Sequence, residues 1–227
     1  MTTSSVFKLM LRRVSPALRE RGRVIRNFAK QLGFVHFGVV DQHEDEHNPI
    51  RGFTSSITHS DSHYAVGTYE GYDIRLVDRF DVLKIPGHEN RHQLWTIFEV
   101  KLNAKGIPHI FFVPTGREAG EYARLYATQT HLQPLNSFLN SQNHSPEFHG
   151  RYQILARPTH SHHVEQVFNS PTIVNIGARF WPHGIEIEND TLYVYITQEK
   201  LTKATLDTAL GSALWLADVI EETTESI

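Results

Sequence analysis

Apolar residues near the start of the chain recur at three- and four-residue steps: Phe7, Leu11, Val14, Leu18, Ile25, Phe28 and Leu32. At about 100° per residue they share one helical face, and Lys8, Arg12, Arg19, Arg23, Arg26 and Lys30 gather on another. Pro16 suits a first helical turn with Ser15 as its N-cap. The pattern therefore predicts a short helix before Ser15 and a longer one from Pro16 to about Leu32, closed by Gly33. Phe34–Val40 reads as a strand or a short buried run. Tyr64–Tyr69 and Tyr72–Asp78 flank Glu70-Gly71 as a hairpin. Leu94–Leu102 alternates, with Trp95, Ile97, Glu99 and Lys101 on one side and Thr96, Phe98, Val100 and Leu102 on the other. Ile107–Val113 is a further strand. Thr115–Glu118 has the spacing of a capping box and predicts a helix from about Gly116 to Thr128. Arg151–Ala156 reads as a strand, and Ser170 as N-cap with Pro171 at the first helical position opens a helix to about Phe180. Ile185–Glu188 and Leu192–Ile196 form a second hairpin around Asn189–Thr191. A last helix, about Thr202 to Ile220, puts Leu206, Leu210, Ala213, Leu214 and Ala217 on one face. Glu221, Glu222 and Glu225 oppose its dipole and predict a frayed tail.

These elements give an α+β protein with antiparallel sheet and helices packed on one face. Residues 1–33 form basic amphipathic helices and residues 34–227 an α+β globular domain. Two blocks, about 64–128 and 150–221, each run from strands to a helix. Two tandem sheet-plus-helix lobes, 34–140 and 141–227, are thus one form the domain could take.

Composition narrows the classes. The 227 residues include 13 Phe, 8 Tyr and 3 Trp, enough aromatic mass for a packed core. There is no cysteine, which excludes disulfides, thiolate metal sites and cysteine nucleophiles. The first 30 residues carry no secretory pattern, and no run approaches the roughly 18 apolar residues of a membrane span. The expectation is a cytoplasmic protein, peripheral to the membrane if it meets one. Charge is uneven: the net is −3, yet residues 1–30 hold eight basic residues against Glu20 alone, a net of +7, leaving −10 on the rest. Such asymmetry marks an arm that binds acidic partners.

Candidate chemistry centres on histidine, of which there are 15. A polar stretch from Asp41 to His63 lacks periodicity and is long for a connection. Within it His59, Asp61 and His63 stand at alternate positions, which an extended strand places on one face. Three such ligands suit an open catalytic zinc site. A solvent-facing polar loop explains the same spacing more simply. His160-Ser-His-His163 is a second histidine tract, to which the same two readings apply. Asp45, Arg51, Gly52, Asp73 and Arg75 could hold an anionic or sugar-like ligand if they converge; surface pairing of Asp73 with Arg75 is the simpler account. No phosphate-binding glycine loop, dinucleotide fingerprint or serine nucleophile elbow occurs. Protonating the histidines below neutrality would reverse the net charge and stress the fold.

The stretch Thr58–Gly67 resembles the metal-binding segment of metallo-β-lactamase-like hydrolases, but its Asp61 sits between the histidines and the αββα layout is missing, so that family is set aside. The run VDQHEDEHNPIRGFTSSITHSDSHYAVGTYEGYDI, with RYQILA and HGIEIENDTLYVYI, resembles uncharacterised bacterial proteins of this size. That resemblance implies no activity, cofactor or catalytic residue. The favoured function is a non-enzymatic binding or scaffold protein, meeting a protein partner or an anionic membrane through residues 1–32 or the 41–63 stretch. Nucleic acid is the less favoured partner. The alternatives are a metal-dependent hydrolase holding zinc on His59, Asp61 and His63, and a small-ligand or sugar-binding domain.

Overall fold

A computed structural model of the chain describes residues 16–38, 60–83, 91–115, 131–135, 146–197 and 200–225. The helices expected before Ser15 and at Gly116–Thr128, and residues Asp45, Arg51, Gly52 and His59, lie outside these. Helix α1 spans Pro16–Gln31. It ends where Gly33 takes φ +76°, which lets the Phe34 amide reach Ala29 O at 2.9 Å and the Gly33 amide reach Lys30 O at 3.2 Å. These are the two closing bonds of a Schellman turn.

Among the described residues nine strands follow in one antiparallel sheet: β1 Val35–His36, β2 Ser60–Tyr69, β3 Tyr72–Leu83, β4 Arg91–Lys101, β5 Ile110–Pro114, β6 Gln133–Pro134, β7 Tyr152–Ala156, β8 Gly184–Glu188 and β9 Thr191–Ile196. Their order is β1-β2-β3-β4-β9-β8-β5-β7-β6. The β8–β9 hairpin inserts between β4 and β5, so strands of both sequence blocks share one sheet. Both hairpins turn where the sequence placed them. Glu70 and Gly71 have φ +50° and +85°, and Asn189 and Asp190 have +51° and +56°, the pair of positive angles a two-residue type I′ turn needs. Thr191 already pairs with Glu188, so the second turn is one residue shorter than expected.

The helices α2 Pro146–Arg151, α3 Ser161–Val167, α4 Ser170–Phe180 and α5 Lys203–Glu225 lie with α1 on one side of the sheet. Ile25, Phe28, Phe148, Val164, Ile176 and Leu210 meet alternate strand residues there in a single apolar cluster. The expected α+β layout, with helices on one face, is the one found. The cap of α4 is Asn169, one residue earlier than expected, its side chain accepting from the Thr172 amide. Thr202 caps α5 by accepting from the Thr205 amide at 3.1 Å. That helix runs on to Glu225 instead of fraying at Ile220. Glu221 is anchored there by the Asn103 amide at 2.8 Å, a partner from another element that outweighs the dipole.

The far side of the sheet carries a second buried cluster. Val77, Trp95, Ile97, Phe111, Leu155 and Tyr195 belong to it. Both faces of β4 are therefore buried, as its two alternating sets require.

Candidate functional site

Two polar assemblies stand out against these apolar clusters, one on each side of the sheet. The first lies under α1. Arg21 falls on the inward face of the helix and is only 2% exposed. Its Nε donates to both Asp78 oxygens, at 2.8 and 2.9 Å, and its Nη2 to the Thr96 hydroxyl. Thr96 donates to Asp78 in turn at 3.0 Å. The net direction for Asp78 is upward, because burial raises its pKa more than Arg21 and Thr96 lower it. This buried pair pins the helix to β3 and β4.

Beside it His36 and His63 stack, ring centroids 5.7 Å apart. Neither His36 Nε2 nor His63 Nδ1 has a hydrogen-bond partner. The His63 ring rests on Gly22 so closely that a Cβ there would fall 2.3 Å from Nε2. Burial lowers both pKa values. The neighbouring His63 charge and Arg26 add to this for His36, and Arg26 and Arg21 do so for His63, against a pull from Asp78.

The alternation that suggested a shared face for Asp61 and His63 breaks between them. Ser62 pairs with Asp78 and Ala65 with Leu76, leaving one extra residue on β2, and His63 takes φ +53°. Such a bulge reverses the side to which later residues point. Asp61 faces away from α1 and is bound by Arg79 through two bonds of 2.6 Å, Nε to Oδ1 and Nη2 to Oδ2. His63 faces α1. The structure thus gives Asp61 a cation of its own and sets His63 across the sheet from it. His160 and His163 are half-buried and His162 exposed at the start of α3. Arg75 donates to Glu99 at 2.7 Å, while Asp73 accepts from Thr68 at 2.9 Å, so those two charges do not pair with each other.

The second assembly, which sequence reading missed, lies on the far face. Glu186 of β8 is fully buried. It accepts from the Tyr195 hydroxyl and meets His109 Nε2 at 2.8 Å. The other ring nitrogen of His109 lies 3.2 Å from His131 Nε2 and 3.7 Å from Glu188. Burial and the Glu186 charge raise the pKa of Glu188 against His109. Burial lowers that of His131, with His109 and Arg157 in the same direction. Burial also raises Tyr193, whose other influences include Glu99, Glu186 and Glu188. The signal in the sequence was Ile-Glu-Ile-Glu at 185–188, which puts two carboxylates on one side of a strand. Nothing local ties them to His109, 77 residues away.

The outward side of α1 is basic. Arg19, Arg23, Arg26 and Lys30 are exposed there with one acidic residue, Glu20, which pairs with Arg23 at 2.6 Å. A shallow dent of about 50 Å³ between α2 and α4, lined by Phe148, Arg151, Val174 and Gly177 among others, has room for a water or two and no more. Among the described residues no helix is long and apolar enough to cross a membrane.

No protein-family model matches the chain, and no curated protein matches it. Among solved structures it is similar to the crystal structure of the mycobacterial trehalose monomycolate transport factor A, TtfA. The TM-score is 0.60 over 88% of this chain and 93% of that one, at 10% sequence identity. At that identity the likeness shows the fold.

Proposed function

We propose that the protein is a non-enzymatic binding or scaffold component that works against an anionic membrane surface through the outward face of α1. The observation that carries this is how the helix divides. Its apolar side, Ile25, Phe28 and Ala29, is spent inside the molecule, and its outward side presents four basic residues against one acidic. A helix so divided cannot bury an apolar face in lipid, as a free amphipathic helix does. It offers charge, worth about 1 kcal/mol per basic residue near an anionic surface. The structural neighbour is named a transport factor, which supports a role without catalysis.

A hydrolase built on His59, Asp61 and His63 is the less favoured reading. It would require Asp61 to exchange Arg79 for a metal and His63 to cross the sheet. The test is co-sedimentation of the full chain with vesicles rich in an anionic phospholipid and with neutral phosphatidylcholine vesicles. Binding to the anionic set alone supports the proposal. Equal binding to both, or binding to neither at low salt, rejects it. In the second case the basic face would serve a protein partner.

A further inference from the structure

The far-face assembly has the parts of a metal site, and it is independent of the charged face of α1. His109, Glu186 and Glu188 each offer one ligand atom, all within 4.8 Å of one another. Ligands bound to zinc at about 2 Å stand roughly 3–4 Å apart. Glu188, at the solvent edge with a third of its side chain exposed, has the freedom to close that distance.

Two further features separate this group from an ordinary patch of acidic side chains. The first is the convergence on His109. Its Nε2 is taken by the buried Glu186, while Nδ1 is approached by both His131 and Glu188. His131 and Glu188 thus stand on the same side of the ring, where a cation on Nδ1 would meet both. The second is the support behind it. Glu186 is wholly buried and is itself held by the Tyr195 hydroxyl. A histidine oriented by a hydrogen-bonded carboxylate is the outer arrangement typical of metal-ligating imidazoles.

We propose that His109, Glu186 and Glu188, with His131 at the rim, bind a divalent cation of the imidazole-preferring class, zinc above all. Glu186 either ligates directly or orients His109, and Tyr195 is a positioning residue acting through Glu186. Mixed imidazole and carboxylate donors favour zinc over magnesium or calcium, which take oxygen ligands.

The experiment uses the full untagged chain, stripped with a chelator and titrated with zinc chloride by calorimetry. Cobalt(II) substitution then reports the ligand set by its visible absorption. The expected result is one tight equivalent, a cobalt spectrum of a four- or five-coordinate nitrogen–oxygen site, and loss of both in His109→Ala. Glu188→Gln, at the solvent edge, keeps the fold and separates lost binding from lost structure; it should weaken zinc by tenfold or more. Tyr195→Phe should cost about 10- to 100-fold through the second shell while the cobalt coordination number stays the same. Absence of a tight equivalent overturns the proposal. So does tight zinc that survives His109→Ala and Glu188→Gln but is lost in His59→Ala with His63→Ala, since the site would then be the histidine-rich stretch. Equal competition by magnesium would overturn the assignment to zinc-class cations.

Discussion

Asp61 and Arg79 face each other directly across β2 and β3 and are both buried. Removing Asp61 takes two charge-assisted bonds of 2.6 Å from a buried guanidinium, a loss of about 3 kcal/mol. Asp61→Ala should therefore lower unfolding stability by that amount in urea titration. If Asp61 were free for metal binding instead, its loss would alter metal content and leave stability nearly unchanged. Gly22 gives a second test. Alanine is the better helix former by up to about 1 kcal/mol, but its Cβ would strike the His63 ring. Gly22→Ala should destabilise by about 1–3 kcal/mol, as overpacked sites do. The penalty should shrink in a His63→Asn background, because Asn tolerates the positive φ and is smaller. A stabilising Gly22→Ala would contradict the packing described. Both contacts were hidden in the sequence for the same reason: alternation was visible around Asp61 and His63, but the extra residue that reverses it was not.

At the scale of elements, local pattern was a good guide. Helix α1, both hairpins and α5 were legible because each rests on short-range signals, such as Gly33 at a C-cap or Glu70-Gly71 between alternating runs. The pairing of β4 with β9 and β5 with β8 was not legible. β4 is apolar on both sides, so its sequence marks burial without naming a neighbour. The same long-range closure brings His109 to Glu186, which is why the far-face cluster escaped notice. The docking of α1 yields its own prediction. Arg21→Met alone should cost about 3–5 kcal/mol by leaving Asp78 buried and unpaired, and Arg21→Met with Asp78→Leu should recover most of it. Chemical denaturation of the two variants decides. If the single variant is neutral, Arg21 is not the anchor. Because α1 supplies Ile25 and Phe28 to the core, a chain cut before Phe34 should not fold, and tests of the basic face are better made by substitution than by deletion.

Across the whole molecule, burial acts on histidines and carboxylates with opposite sign. His36 and His63 have folded pKa values below their ordinary 6.5, so the unfolded chain binds protons more readily there. Their contribution is present above about pH 6.5 and is lost as pH falls from there toward the lowered folded values. Asp78, Glu99 and Glu188 are raised by burial. They bind protons more readily when folded, so acidification through their raised values works in favour of the folded state. Thermal unfolding at pH 7.5 and 5.5 should show a smaller loss in His63→Asn than in the parent chain. An identical loss in both would mean the stacked pair does not govern acid sensitivity.

The proposed membrane role rests on the division of α1 into a buried apolar side and a basic outer side, and a binding titration tests it. The parent chain and an Arg19→Gln/Arg26→Gln/Lys30→Gln variant would be titrated with anionic vesicles at low and high ionic strength. Three lost charges at about 1 kcal/mol each amount to roughly a hundredfold in affinity. That weakening is expected at low salt, with the gap closing as salt screens the surface. Equal affinity of parent and variant at low salt would contradict it.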